Sequence, residues 1–144
     1  MISMFMGEYN HTMDAKGRLI VPSKFRELLG EEFVVTKGLD KCLFAFTEDK
    51  WTSVIESIDS LPITKGKARQ FSRFLIGGAG TCEIDKQGRI LIPQNLREYA
   101  ELDKEAVLVG VGNRIEIWNK DKWNELNNYD EIEEIAEDLE ELRF

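Results

Sequence analysis

The sequence predicts an α+β fold built from two tandem, pseudo-symmetric repeats with peripheral helices. Three observations predict it: a turn motif that occurs twice, an aliphatic run after each copy, and helical spacing of apolar residues after each run. "DAKGRLIVP" starts at Asp14, and "DKQGRILIP" starts 71 positions later at Asp85. This register carries Gly17 onto Gly88, Arg18 onto Arg89, Leu19-Ile20-Val21 onto Ile90-Leu91-Ile92, Pro22 onto Pro93, and Arg26-Glu27 onto Arg97-Glu98. With one residue of slippage, Phe46 meets Trp118, Asp49-Lys50 meets Asp121-Lys122, and Trp51 meets Trp123. The expected division is repeat 1 at 8–50, a helical connector at 51–78, repeat 2 at 79–122 and an acidic C-terminal helix at 123–144.

Each copy reads as hairpin, helix, strand and helix. "DAKG" and "DKQG" fit four-residue turns: Asp14 or Asp85 can bond nearby backbone N–H groups, and Gly17 or Gly88 supplies a left-handed conformation. The strand that follows ends at Pro22 or Pro93, because proline cannot donate to a ladder yet suits a helix start. Phe25, Leu28 and Leu29, like Leu96, Tyr99 and Ala100, then share one helical face, with Gly30 as a stop in the first copy. Later strands are "FVVTKG" with "CLFAF", and "AVLVGVG" with "IEIW". Thr47 and Asn119 are candidate N-caps, followed by inward-facing Trp51, Val54, Ile55 and Ile58, or Trp123 and Leu126. Pro62 and the Gly77-Gly78-Gly80 cluster bracket a basic connecting helix with Lys65, Lys67, Arg69 and Arg73. In the tail, Ile132, Ile135, Leu139 and Leu142 line one side of an otherwise acidic helix.

A chain of 144 residues with 42% hydrophobic content can bury one ordinary core or two halves that share one. Two β-rich units of this size pack most simply as a pseudo-twofold pair. No apolar run has bilayer-spanning length, and "MISMFMGEYN" lacks the pattern of a secretory signal, so a cytoplasmic location is expected. Cys42 and Cys82 have no C-x-x-C partner and are expected as buried, reduced thiols. Neither a cofactor nor a metal site is expected.

The formal charge of -8 argues at first against nucleic acid, whose binding rests on Lys and Arg. Charge placement weakens that objection. Between Glu125 and Phe144 nine acids face Arg143 alone, which leaves 18 basic and 18 acidic residues in the rest of the chain.

The strongest chemical candidates are Arg18 and Arg89, joined by Lys16 and Lys86. Guanidinium groups just after tight turns can offer planar donors to phosphates or guanine edges. The plainer alternative is a solvated turn in which each Arg pairs with the Asp four residues earlier. A turn alone asks for Asp and Gly but not for Arg twice, and the repetition favours the first reading. A catalytic dyad of Asp14 and Asp85 is disfavoured by hairpin-tip placement, adjacent Lys residues and the absence of D-[ST]-G. His11 falls on Cys82 in repeat register, but no third group orients such a pair, and both read as strand residues. "GGAGTC" lacks the spacing of a phosphate cradle and reads as a link. Trp51, Trp118 and Trp123 read as core. An enzyme is therefore not expected.

The stretches "FMGEYNHTMDAKGRLIVPSKFR" from Phe5, "EIDKQGRILIPQNLREYA" from Glu83 and "NRIEIW" from Asn113 closely resemble the MraZ family of bacterial transcriptional regulators. The resemblance implies an AbrB-like fold, with two tandem SpoVT-AbrB repeats forming one swapped-hairpin, double-split β-barrel. It also implies ring-shaped homo-oligomers, a nucleoid-associated place in the cytoplasm, and regulation of the division and cell-wall gene cluster through short direct repeats in its promoter. Carried over by position, the DNA-contacting signature falls on Lys16, Arg18, Lys86 and Arg89, with Asp14, Gly17, Asp85 and Gly88 shaping the turns. A second expectation is an antitoxin-like interaction module that uses the acidic tail.

Overall fold

The computed structural model describes residues 4–127 and 129–143. Repeat 1 runs β1 (Phe5–Thr12), β2 (Arg18–Ile20), α1 (Ser23–Leu29), β3 (Glu32–Lys37), β4 (Leu43–Phe46) and α2 (Glu48–Asp59). The connecting helix α3 (Gly66–Leu75) follows. Repeat 2 runs β5 (Gly80–Glu83), β6 (Arg89–Leu91), α4 (Gln94–Tyr99), β7 (Glu105–Gly112), β8 (Ile115–Asn119) and α5 (Lys120–Leu126). A short 3-10 turn at Tyr129–Glu131 leads into α6 (Ile132–Asp138).

All strand pairs are antiparallel, in a six-stranded sheet ordered β1-β7-β8-β4-β3-β5 and a two-stranded ribbon of β2 and β6. Exchanging the repeats reverses the six-strand order onto itself, so a pseudo-twofold axis passes between β8 and β4. The first strand of each repeat pairs with the other repeat, β1 along all of β7 and β5 along β3. Among the described residues β1 and β5 do not pair with each other, so the sheet is open and not a closed barrel. The expected hairpins are also altered. In the first repeat the turn is present, but its arms stay paired only at the Met13–Leu19 bridge before β2 leaves for β6.

One core serves both halves. Leu19, Val21, Phe25, Phe33, Val35 and Leu43 pack in one cluster with Ile90, Ile92, Leu96, Leu108, Ile115 and Ile117. Burial of this kind contributes roughly 1.5–3 kcal/mol per large aliphatic or aromatic side chain, far more than any surface contact. A smaller cluster of Cys42, Val107, Val109 and Trp118 has Trp123 packed against it, its ring edge-on to Trp118 at 5.6 Å. Cys42 and Cys82 are buried and unpaired, and burial raises both thiols, Cys82 to about 11.

Helix starts follow the side-chain chemistry. Thr47 Oγ1 accepts the Lys50 N–H at 3.1 Å, and Asn119 Oδ1 accepts the Lys122 N–H at 3.0 Å. The connecting helix is tied down at its far end by the buried Thr36, whose hydroxyl donates to the Leu75 carbonyl at 2.5 Å.

The tail departs from the single helix expected over 123–144, a span whose residues 128 and 144 lie outside the described ones. The helix α5 ends at Leu126, where the Asn127 backbone N–H and side-chain amide both donate to the Trp123 carbonyl at 3.0 Å. Asn competes with the helix for such groups. In α6, Glu133 faces Glu137 and Glu134 faces Asp138 at i, i+4, like-charge pairs that shorten it. Leu126, expected inward, is exposed at the last position of α5.

Candidate nucleic-acid interface

Each turn is a closed hydrogen-bonded unit. In the first, Asp14 Oδ1 accepts the backbone N–H groups of Lys16 at 3.0 Å and Arg18 at 2.9 Å, while Oδ2 takes Arg18 Nε–H at 2.6 Å. In the second, Asp85 Oδ1 accepts from Gln87 at 2.9 Å and Arg89 at 2.8 Å, and Oδ2 takes Arg89 Nε–H at 3.0 Å. Gly17 and Gly88 sit at φ of +90° and +79°, where a Cβ is strained, and each donates its N–H to the Asp carbonyl at 3.0 Å. The backbone N–H of Arg18 is the chief influence that holds the Asp14 carboxyl below its ordinary range, and that of Arg89 does the same for Asp85.

The pairing that the plainer sequence reading expects is present in both turns. Each pairs with the Asp four residues earlier, yet only through Nε, and a guanidinium has five N–H donors. The clamp fixes the group and leaves its Nη end for another acceptor. Neither arginine is sealed inside: the side chains are 34% exposed at Arg18 and 27% at Arg89. Lys16 and Lys86 are exposed, but they occupy different turn positions, since Lys16 corresponds to Gln87 and Lys86 to Ala15.

The ribbon joins the two turns. Its register sets Arg18 opposite Leu91, Leu19 opposite Ile90, and Ile20 opposite Arg89. Leu19 and Ile90 point into the core, so alternation puts Arg18, Ile20, Arg89 and Leu91 together on the outer face. Arg18 and Arg89 are diagonal neighbours, about 7–8 Å apart at the backbone. Cross-repeat bonds from Val21 N–H to the Gly88 carbonyl at 2.9 Å, and from Ile92 N–H to the Gly17 carbonyl at 3.0 Å, lock each turn to the opposite strand.

Sequence reasoning missed two further cations. A Cβ on Gly17 would lie 2.7 Å from Cζ of Arg97, and one on Gly88 would overlap the guanidinium of Arg26. Each repeat thus lays an arginine against the other repeat's turn. Arg97 Nε is buried with no hydrogen-bond partner among the described residues. The only signal was the coincidence of Arg26 and Arg97 in repeat register, since 80 positions separate Gly17 from Arg97.

The remaining candidates are not brought together. His11 lies on β1 opposite Ala106, whereas Cys82 lies on β5 opposite Phe33. Among the described residues no group of three or more His, Cys, Asp or Glu side chains could hold a metal, and no helix is long and apolar enough to cross a membrane.

Duplicated cationic turns on a shared core define a protein of paired repeats. Comparison with known proteins makes this specific. A family model described as "MraZ protein, putative antitoxin-like" matches twice, over residues 4–74 and 75–143. The chain is 55% identical to the "Transcriptional regulator MraZ" of Thermoanaerobacter sp. (strain X514), an alignment that covers 98% of this chain and 100% of the relative. It is 55% identical to the protein of the same name from Desulforamulus reducens, covering 96% and 99%. With that of Lachnoclostridium phytofermentans it shares 58% identity, covering 96% and 97%. The chain belongs to the MraZ family of transcriptional regulators, which is not a family of enzymes.

Proposed function

We propose that the protein binds DNA sequence-specifically, at short direct repeats in the promoter of its own division and cell-wall gene cluster, and acts there from the cytoplasm as a nucleoid-associated regulator. The observation that carries this reading is the outer face of the β2–β6 ribbon, where two Asp-clamped arginines stand on one surface. A B-DNA major groove admits a two-stranded ribbon, and arginine recognises guanine O6 and N7 there. Lys16 and Lys86 would meet phosphates beside it, and Arg97 and Arg26 add charge to the same two tips. In this reading residues 8–50 and 79–122 present the contacts, 51–78 connects them, and 123–144 faces away from DNA.

One protomer offers few cations, and each phosphate neutralised adds only about 0.9 to the salt slope. A homo-oligomeric ring would repeat the tips along tandem sites and raise affinity through effective concentration. Surfaces for such an assembly exist. The acidic α6 exposes Ile132 and Ile135, and the segment after it exposes Leu139 and Leu142, while an apolar groove of about 310 Å³ between α2 and α3 is bordered by the basic α3.

The test is a binding titration of Arg18→Ala/Arg89→Ala against the DNA upstream of the coding sequence. Two lost guanine contacts at roughly 1–3 kcal/mol each predict a loss of at least about 30-fold, with circular dichroism and oligomer size unchanged. Undiminished binding would remove the ribbon from the interface.

The family description and the exposed α6 stripe favour a second reading, an antitoxin-like module that holds a partner with its tail. Deleting residues 125–144 separates the two. Loss of a co-purifying protein with DNA binding intact supports the module, whereas loss of ring assembly together with weakened binding supports the first.

A further inference from the structure

We infer that Ile20 and Leu91 are specificity-determining residues that read thymine methyl groups, an inference that rests on the DNA reading above. A strand with one face on a core and one in water alternates apolar and polar, so the outer positions of β2 and β6 call for polar side chains. They carry Ile20, 42% exposed, and Leu91, 57% exposed. A single exposed aliphatic needs no explanation. These two occupy the same position in both repeats and share one face with both arginines.

The register sharpens the point. Arg18 lies directly opposite Leu91, and Arg89 directly opposite Ile20, so the face consists of two arginine–aliphatic couples, each drawing one member from each repeat. Directly opposed side chains on such a face are about 4.5–5.5 Å apart at Cβ. The major groove offers a matched set of targets. Guanine presents O6 and N7 to a guanidinium, and thymine presents its C5 methyl, the one methyl group on any base edge there, to an aliphatic side chain. Each couple therefore fits a guanine with a thymine methyl beside it. The flanking cations bring the polyanion to this face rather than a neutral partner, which makes duplex DNA the occupant.

The experiment removes the methyls and nothing else. The DNA upstream of the coding sequence is amplified once with dTTP and once with dUTP, and both fragments are titrated with wild type and with Ile20→Ala/Leu91→Ala. A methyl buried against an aliphatic side chain contributes about 0.8 kcal/mol, which is about fourfold in affinity. Wild type should then bind the thymine fragment at least about fourfold more tightly than the uracil fragment, and the double variant should bind the two alike. Equal binding of both fragments by wild type overturns the inference and leaves DNA binding standing. A preference for thymine that persists in the double variant also overturns it, since the methyls are then read elsewhere. A change in oligomer size in the double variant overturns it in favour of a second copy covering the patch. Binding of neither fragment by wild type overturns the DNA reading itself, and the inference with it.

Discussion

In repeat 1 the strand before the turn has eight residues and the helix after β4 has twelve; the equivalent elements of repeat 2 have four and seven. Helix α1 stops at Gly30, whereas α4 stops at Ala100, with Glu101 taking the positive φ of 53°. Across this divergence the two turns keep the same bonds. Each Asp carboxylate takes two backbone N–H groups and one Nε–H, and no equivalent distance differs by more than 0.4 Å. The periphery tolerates change because helix length alters only what is covered. The turn does not, because one carboxylate and one glycine set both its backbone and the direction of its arginine.

The largest test of this contrast lies beneath the turns. Leu19 and Ile90 are fully buried and face each other at the centre of the ribbon. Leu19→Ala and Ile90→Ala should each cost about 2–5 kcal/mol, in a single urea transition that includes both repeats. A second transition in either variant would mean that the halves unfold separately and that the core is not shared.

Next in size come the glycines. Gly17→Ala and Gly88→Ala place a Cβ where φ is positive, at a cost of about 1–2 kcal/mol each by chemical denaturation. The added Cβ also meets Arg97 or Arg26, so pairing each substitution with Arg97→Ala or Arg26→Ala should show non-additivity. Simple additivity would show that those arginines do not rest on the turns.

The smallest effect is the pH dependence. Both carboxyls titrate below their ordinary 3.8, so each stabilises the fold fully above that value and loses its contribution as pH falls through its lower folded one. Asp14→Asn and Asp85→Asn should flatten the acid limb of thermal stability below about pH 4. Unequal flattening would show that the turns differ energetically despite their matching geometry.

The turns were legible because their determinants are local: Asp, Gly and Arg lie within five residues and dictate the bonds they make. The caps at Thr47 and Asn119 were legible for the same reason. The strand partners were not. A hairpin is the default for two strands joined by a four-residue turn, and nothing within Phe5–Ile20 says that β1 will run along β7 or that β2 will leave for β6. That outcome depends on apolar surface completed only when both repeats are present. The arginines that rest on the opposite turns were hidden by the same exchange. The tail is less helical than its aliphatic stripe predicts because like charges at i, i+4 oppose the stripe.

The exchange of β1 and β5 has a consequence for how the molecule is made. Were the repeats separate chains, each would complete its sheet only by finding a second copy, and its stability would rise and fall with concentration. Tethering them through α3 turns that encounter into loop closure within one molecule, whose cost grows only with the logarithm of the tether's length. The two halves can therefore complete each other's sheet without a second copy, at any dilution.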